Sequence, residues 1–220
     1  MKTFTDLQEG VYDPNILKAF FLAGGPGSGK SYVVQRTTGG MGMRVVNSDI
    51  EFEKKLKDAG LSLDIRELDP TVRDEIRGRA KKITAKRKAN YIEGRLGLII
   101  DGTGKDYDKI AKQATQLKQL GYDVHMIFVN TSLDTALERN AKRARSVQEP
   151  IVVKSWKSVQ ANIGKFSQYF RQNFVVVDNN DAGEDVFSKV FKQVMSLAKS
   201  RVQNTLGQQW IANELAKKQR

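Results

Sequence analysis

The 220-residue sequence has no cysteine, four prolines and a single histidine, and no apolar run in it approaches the roughly 20 residues of a membrane span. The missing cysteines exclude disulfides, thiolate zinc sites and a cysteine nucleophile, and they suit a reducing compartment. His125, the only histidine, lies inside the run Val124-His125-Met126-Ile127-Phe128-Val129, away from its carboxyl end, and reads as a packed strand residue. Acidic residues are scarce: 25 Asp and Glu stand against 37 Lys and Arg, for a net charge of +12. Such an excess suits polyanionic partners, whether nucleic acid, a nucleoside triphosphate or a phosphorylated small substrate, and it also suits a solvated surface. The segment Met1-Lys2-Thr3-Phe4-Thr5-Asp6 lacks the apolar core of a signal peptide. These absences predict a soluble, cytoplasmic protein with no membrane partner, and they identify no protein partner.

What is present centres on Gly24-Gly25-Pro26-Gly27-Ser28-Gly29-Lys30-Ser31, which satisfies G-x-x-x-x-G-K-[ST]. The apolar run Ala19-Phe20-Phe21-Leu22-Ala23 before it reads as a buried strand, and Tyr32-Val33-Val34 after it can open a helix. Glycines let consecutive N–H groups face one anion, and the helix starting at Lys30 adds its positive end. A nucleoside triphosphate, ATP or another, fits such a loop through Gly25, Pro26, Gly27, Ser28 and Gly29. Lys30 would reach the β- and γ-phosphates, and the Ser31 hydroxyl would ligate Mg²⁺.

Further along, Met43-Arg44-Val45-Val46-Asn47-Ser48 has the β-branched content of a second strand and delivers Asp49 to its carboxyl end. Ligands of open α/β sheets bind at those ends, so Asp49 is a candidate proton acceptor beside the P-loop. Residues 50–95 are charged and helical, broken near Ala59-Gly60 and at Asp69-Pro70, and read as an insertion. Within it Arg77, Arg79, Lys81, Lys82, Lys86, Arg87 and Lys88 share twelve positions with no acidic residue. Lys82, Lys86 and Arg87 are candidates for an anionic substrate.

Leu96 to Asp101 is a third strand ending in a carboxylate, as a Walker B strand does, and Asp101-Gly102-Thr103-Gly104 turns after it. Asp101 can hold the water shell of Mg²⁺, and Thr103 can hydrogen-bond substrate. A helix from Tyr107 to Leu120, the strand Val124–Val129, and a helix capped by Thr131 or Ser132 follow. That last helix runs into Arg139-Asn140-Ala141-Lys142-Arg143, whose guanidinium groups at i and i+4 can straddle a transferring phosphoryl group. Val152, Trp156, Val159, Ile163, Phe166 and Phe170 then form the core stripe of a long helix. The fifth strand is Phe174–Asp178, a helix spans about Glu184 to Arg201, and a polar, basic tail over 204–220, with Trp210 and Ile211 on a candidate last short helix, looks detachable.

The set resembles the P-loop kinases of the polynucleotide kinase and zeta-toxin group over about residues 18–180. The matching motifs are 24–31, Asn47-Ser48-Asp49, Asp101-Gly102-Thr103-Gly104, and Arg139 to Arg143 with Val147. The resemblance implies an α/β P-loop kinase fold over 1–203, with a five-stranded parallel sheet in the order 2-3-1-4-5, helices on both faces, and a lid at 139–150. It implies Asp49 as general base and Arg139 and Arg143 as lid arginines on the γ-phosphoryl. Similar proteins are commonly carried by tailed bacteriophages, which would put this one in a host cytoplasm. One departure stands out, since the group usually has an arginine three residues beyond the base, where this chain has Phe52. The expected reaction is transfer of the γ-phosphoryl of ATP to a hydroxyl of a nucleic acid or nucleotide. A small-metabolite kinase acting on a nucleotide sugar is the alternative. A nucleic-acid-binding ATPase is disfavoured, because Gly102 stands where a water-activating glutamate would follow Asp101.

Overall fold

The apolar hexapeptide Lys18–Ala23 forms β1, every residue of it buried, and it becomes the middle strand of a five-stranded sheet. The computed structural model describes residues 10–64, 67–142, 147–181 and 183–218. In chain order β1 is followed by α1 (Lys30–Thr38), β2 (Arg44–Val46), α2 (Ser48–Asp58), α3 (Pro70–Glu93), β3 (Leu98–Asp101) and α4 (Tyr107–Gln119). Then come β4 (Asp123–Asn130), α5 (Leu133–Ala141), α6 (Glu149–Phe170), β5 (Phe174–Asp178), α7 (Glu184–Lys199) and α8 (Thr205–Lys218). All strand pairs are parallel and the order is β2-β3-β1-β4-β5, as the resemblance implied. Leu22 pairs in register with Asp101 on one side and Ile127 on the other, so the carboxyl ends of three strands form one edge.

Side chains alternate across the sheet with period two. Ala19, Phe21, Leu98, Ile100, Met126 and Phe128 face one way, into a core closed by Ala114, Leu117, Val159 and Phe166. Phe20, Leu22, Ile99, Ile127 and Val177 face the other, toward Val33, Phe187, Val190 and Val194. A third, small core of Phe52, Leu56, Leu68 and Ala80 lies between α2 and α3. The predicted insertion is therefore a helical hairpin with its own apolar seam. Asp69 caps α3, accepting from the N–H groups of Thr71 and Val72, and Pro70 occupies its first turn.

Two sequence expectations differ from the structure. The second strand stops at Val46, because the Asn47 side chain accepts from the Asp49 N–H and starts α2 there. Asp49 thus stands in the first turn of a helix and not on a strand end. The segment expected as a detachable tail is α8, with Trp210 and Ile211 packed on the first core. Gly207 lies so close to Gly121 that a Cβ on it would meet the Gly121 carbonyl oxygen at 2.3 Å. Before α8, Asp123 accepts from the N–H groups of Gln203 and Asn204, both at 2.9 Å. The same carboxylate takes the buried Lys18 ammonium at 2.8 Å, and Lys18 also donates to Ser200 Oγ. A buried charge needs such full coordination to offset its desolvation.

Candidate active site

The P-loop runs from the end of β1 to α1, and its curvature requires glycine at particular points. Gly27 has φ near +78°, and a Cβ there would sit 2.0 Å from the Ala136 carbonyl oxygen; Gly29 has φ near +79° and would meet Asn179 Nδ2 at 2.4 Å. The loop is held from three directions. Gly24 N–H donates to Thr103 O at 2.9 Å, and Asn179 Nδ2 donates to Ser28 O at 2.8 Å. Trp156 on α6 packs beside Gly25 while its indole N–H reaches Thr131 O. Pro26 is half-buried, and Ser28 is buried.

Lys30 folds its ammonium back over the loop, donating to Gly24 O at 2.6 Å and Gly25 O at 3.1 Å. It shares a cleft of about 360 Å³ with Ser31, Asn47, Asp49, Glu53 and Asp101. The predicted residues from three separate stretches, Lys30 with Ser31, Asp49, and Asp101, thus meet in one place. Asn47 joins two of them, because its amide oxygen starts α2 while its Nδ2 donates to Asp101 Oδ2 at 2.6 Å. The sequence reading gave Asn47 no role, although its type is among the best helix caps.

Burial raises the Asp101 carboxyl above its ordinary range; the Lys30 charge opposes this, the Asp49 charge adds to it, and the Gly102 N–H opposes it. Asp101 Oδ1 is buried with no partner among the described residues. An orphaned carboxylate oxygen facing a lysine and a P-loop serine suits a hydrated divalent cation. Among the described residues no group of three or more His, Cys, Asp or Glu forms a metal cage. Ser31 and Asp101 therefore fit Mg²⁺, which keeps several waters and takes its other ligands from phosphates. Asp49 is exposed in the cleft, with Arg77 Nη1 at 3.9 Å from its carboxylate. The Arg77 guanidinium lies 4.6 Å over the Phe52 ring, so a cation from α3 stands beside the position where the resembled group carries an arginine.

Other predicted site residues have contacts of their own. Arg139 donates to Asn179 O at 2.5 Å and Asn180 O at 2.7 Å, tying α5 to the end of β5, and its Nη1 lies 3.8 Å from where a Cβ on Gly29 of the P-loop would stand. Arg143 lies outside the described residues. Lys82 and Lys86 are exposed and line neither the cleft nor its neighbour, and Arg87 pairs with Glu51 at 2.7 Å. Their neighbours on the other face of α3, Lys81 and Lys88, line a second cavity beside Asp101, with Thr103 at its wall. His125 is buried, stacked on Phe20 at 4.7 Å, and burial pushes its pKa down to about 4, with the Lys18 charge lowering it further and Asp123 opposing.

A P-loop after a central first strand, a carboxylate ending the neighbouring strand and the order 2-3-1-4-5 define a P-loop α/β protein of the kinase-like type. An AAA domain family (AAA_33) matches residues 20–165, more than half of the chain, and the chain belongs to that family. No curated protein matches it. Among solved structures it is similar to a protein named as a kinase from Chloroflexus aurantiacus J-10-fl, with TM-score 0.56, 13% identity, and coverage of 81% of this chain and 97% of that one. It is similar to the AvrRxo1-ORF1:-ORF2 structure with ATP, with TM-score 0.56, 13% identity and 88% and 65% coverage. A chain of the Pnkp1/Rnl/Hen1 RNA repair complex is similar at TM-score 0.54 and 18% identity, with 74% of this chain covering 49% of that one. These likenesses concern the fold. Among the described residues no helix is long and apolar enough to cross a membrane.

Proposed function

We propose that this protein is an ATP-dependent kinase that transfers the γ-phosphoryl group to a hydroxyl of a nucleotide or nucleic acid. The observation that carries the reading is the meeting of Lys30, Asp49 and Asp101 in one cleft at the carboxyl edge of the sheet. The P-loop N–H groups and the first turn of α1 would bind the β- and γ-phosphates, with Lys30 exchanging its two carbonyl partners for phosphate oxygens. The Asp49 carboxylate would accept the proton of the acceptor hydroxyl as its oxygen bonds to the γ-phosphorus. The bond from that phosphorus to the bridging oxygen breaks, and ADP leaves with the electron pair. Mg²⁺ held by Ser31 and, through water, Asp101 would supply charge neutralisation at the phosphates. Arg77 stands beside this base, its Nη1 3.9 Å from the Asp49 carboxylate.

Support also comes from the neighbours: one is named as a kinase, one is a complex with ATP and one belongs to an RNA repair complex. An ATPase reading lacks a glutamate beside Asp101, where Gly102 stands. The test offers γ-labelled ATP with 5′-hydroxyl DNA, RNA, nucleosides, nucleotides and nucleotide sugars, and scores label on acceptor against free phosphate. Label on an acceptor that Asp49→Asn lowers by roughly 10²-fold, with ATP binding retained, is the expected result. Release of free phosphate alone, unchanged by Asp49→Asn, would replace this reading with hydrolysis.

A further inference from the structure

We propose that the cavity between α3 and α4 is an anion subsite that grips a phosphate monoester carried by the acceptor itself. The inference rests on the kinase reading and narrows its acceptor to a small phosphorylated molecule.

The cavity, about 380 Å³, opens beside Asp101, which also lines the P-loop cleft; Ser48 borders it while the adjacent Asp49 borders the cleft. A molecule whose hydroxyl meets Asp49 therefore extends naturally into this second space. Four lysines line it: Lys81 and Lys88 from one face of α3, Lys109 from the first turn of α4, and Lys105 from the turn between. Among the described residues none of the four makes an ion pair. The Lys88 ammonium has only the Gln113 side-chain oxygen, at 3.3 Å.

Two carboxylates also stand in the wall. Asp106 caps α4 by accepting from the Lys109 N–H at 3.0 Å, and Asp101 accepts from Asn47. Four ammonium groups thus outweigh two carboxylates by two charges in a partly enclosed space, which matches the dianion of a phosphate monoester better than a diester monoanion. Burial first, and then the charge of Lys109, lowers the Lys88 pKa, so the α4 lysine is felt at Lys88 across the cavity. Val46, Ile100 and Ile110 supply an apolar floor for the rest of the ligand.

Helical phase separates the lysines of the basic run. Lys81, Thr84 and Lys88 are spaced by three and four and share the inward face, whereas Lys82 and Lys86 turn outward. The basic run is thus split between a solvated face and a lined cavity.

The experiment pairs each phosphorylated acceptor with its dephosphorylated counterpart, a nucleoside monophosphate with its nucleoside and a sugar phosphate with its sugar, and adds a dinucleotide joined by a diester. The unsubstituted protein is compared with Lys109→Gln, with Lys88→Met combined with Lys109→Gln, and with a charge-matched control, Lys57→Gln with Lys112→Gln, both exposed and outside the cavity. Methionine keeps the apolar stem of the half-buried Lys88, and Lys109→Gln alone is exposed enough to leave packing intact. The monoester should be preferred over its counterpart by at least about tenfold in kcat/KM. The double variant should raise its KM at least about tenfold, with the KM for ATP unchanged and the control unaffected. Equal use of the paired acceptors, an unchanged acceptor KM in the double variant, or a dinucleotide that outcompetes the monoester would overturn the proposal. Titration with inorganic phosphate separates the two readings. Phosphate binding lost in the double variant, without label transfer to any acceptor, would retain the subsite and reject the kinase.

Discussion

Asn47 does two things that only an amide can do together: its oxygen caps α2 through the Asp49 N–H while its nitrogen donates to Asp101. Asn47→Asp keeps the cap, since aspartate caps as well as asparagine. It also sets a second carboxylate against Asp101 in place of a donor. The expected outcome is a melting temperature close to the parent protein and phosphoryl transfer reduced at least about tenfold, with like-charge repulsion as the cause. Loss of stability matching the loss of activity would instead make Asn47 a structural cap alone. Lys30→Ala should abolish transfer while the fold survives, because it removes the charge aimed at the β- and γ-phosphates and takes nothing from the apolar cores. Turnover at the parent rate would remove Lys30 from the phosphates. Titration of His125 gives a third expectation. Its pKa falls from 6.5 to about 4 in the fold, so the unfolded chain takes up the proton first as the pH drops. The stability it confers is complete above about pH 6.5 and is lost as the pH falls through about 4. Both ring nitrogens are buried without hydrogen-bond partners among the described residues, so His125→Phe should preserve stability at pH 7 and flatten this part of the acid limb. Thermal melts at pH 7 and 4.5 measure the difference. Lys30, Ser31, Asp49 and Asp101 were legible because each belongs to a motif whose spacing encodes the chemistry. Asn47 and Arg77 were not, because their roles depend on contacts across 54 and 28 positions of chain that no local pattern records.

The strands and most helices were legible for a different reason. A parallel sheet buried on both faces demands apolar runs such as Phe20-Phe21-Leu22, and Gly or capping residues mark its connections. One boundary and one docking contact were not legible. β2 is three residues long and ends by capping, which shortened it relative to its β-branched run. The docking of α8 could not be read because it includes a bare backbone contact between Gly207 and Gly121. Gly207→Ala should therefore force α8 off its seat and destabilise the protein by on the order of 1–3 kcal/mol, the scale of overpacking. Chemical denaturation followed by Trp210 fluorescence reads both the loss of stability and the loosened helix. A change below about 0.5 kcal/mol, the ordinary range for a surface substitution, would show that α8 tolerates the extra methyl and is not seated by this contact.

For the molecule as a whole, the fold was legible from the order of its motifs, while the lysine-lined cavity was not, since two facing helices from distant segments build it. Whole-chain charge could not locate that cavity, because a net +12 is shared between solvated surface and lined cavity. The central place of β1 carries a consequence for synthesis. β1 ends at Ala23 and its neighbour β4 begins at Asp123, so a growing polypeptide holds Phe20 and Phe21 without that flank while the intervening hundred residues are made. At the usual translation rate of about 5–20 residues per second that interval is on the order of ten seconds. During it, a strand that the finished fold buries completely has no partner on one edge, and a stalled ribosome would display it as a ready site for chaperones or for aggregation.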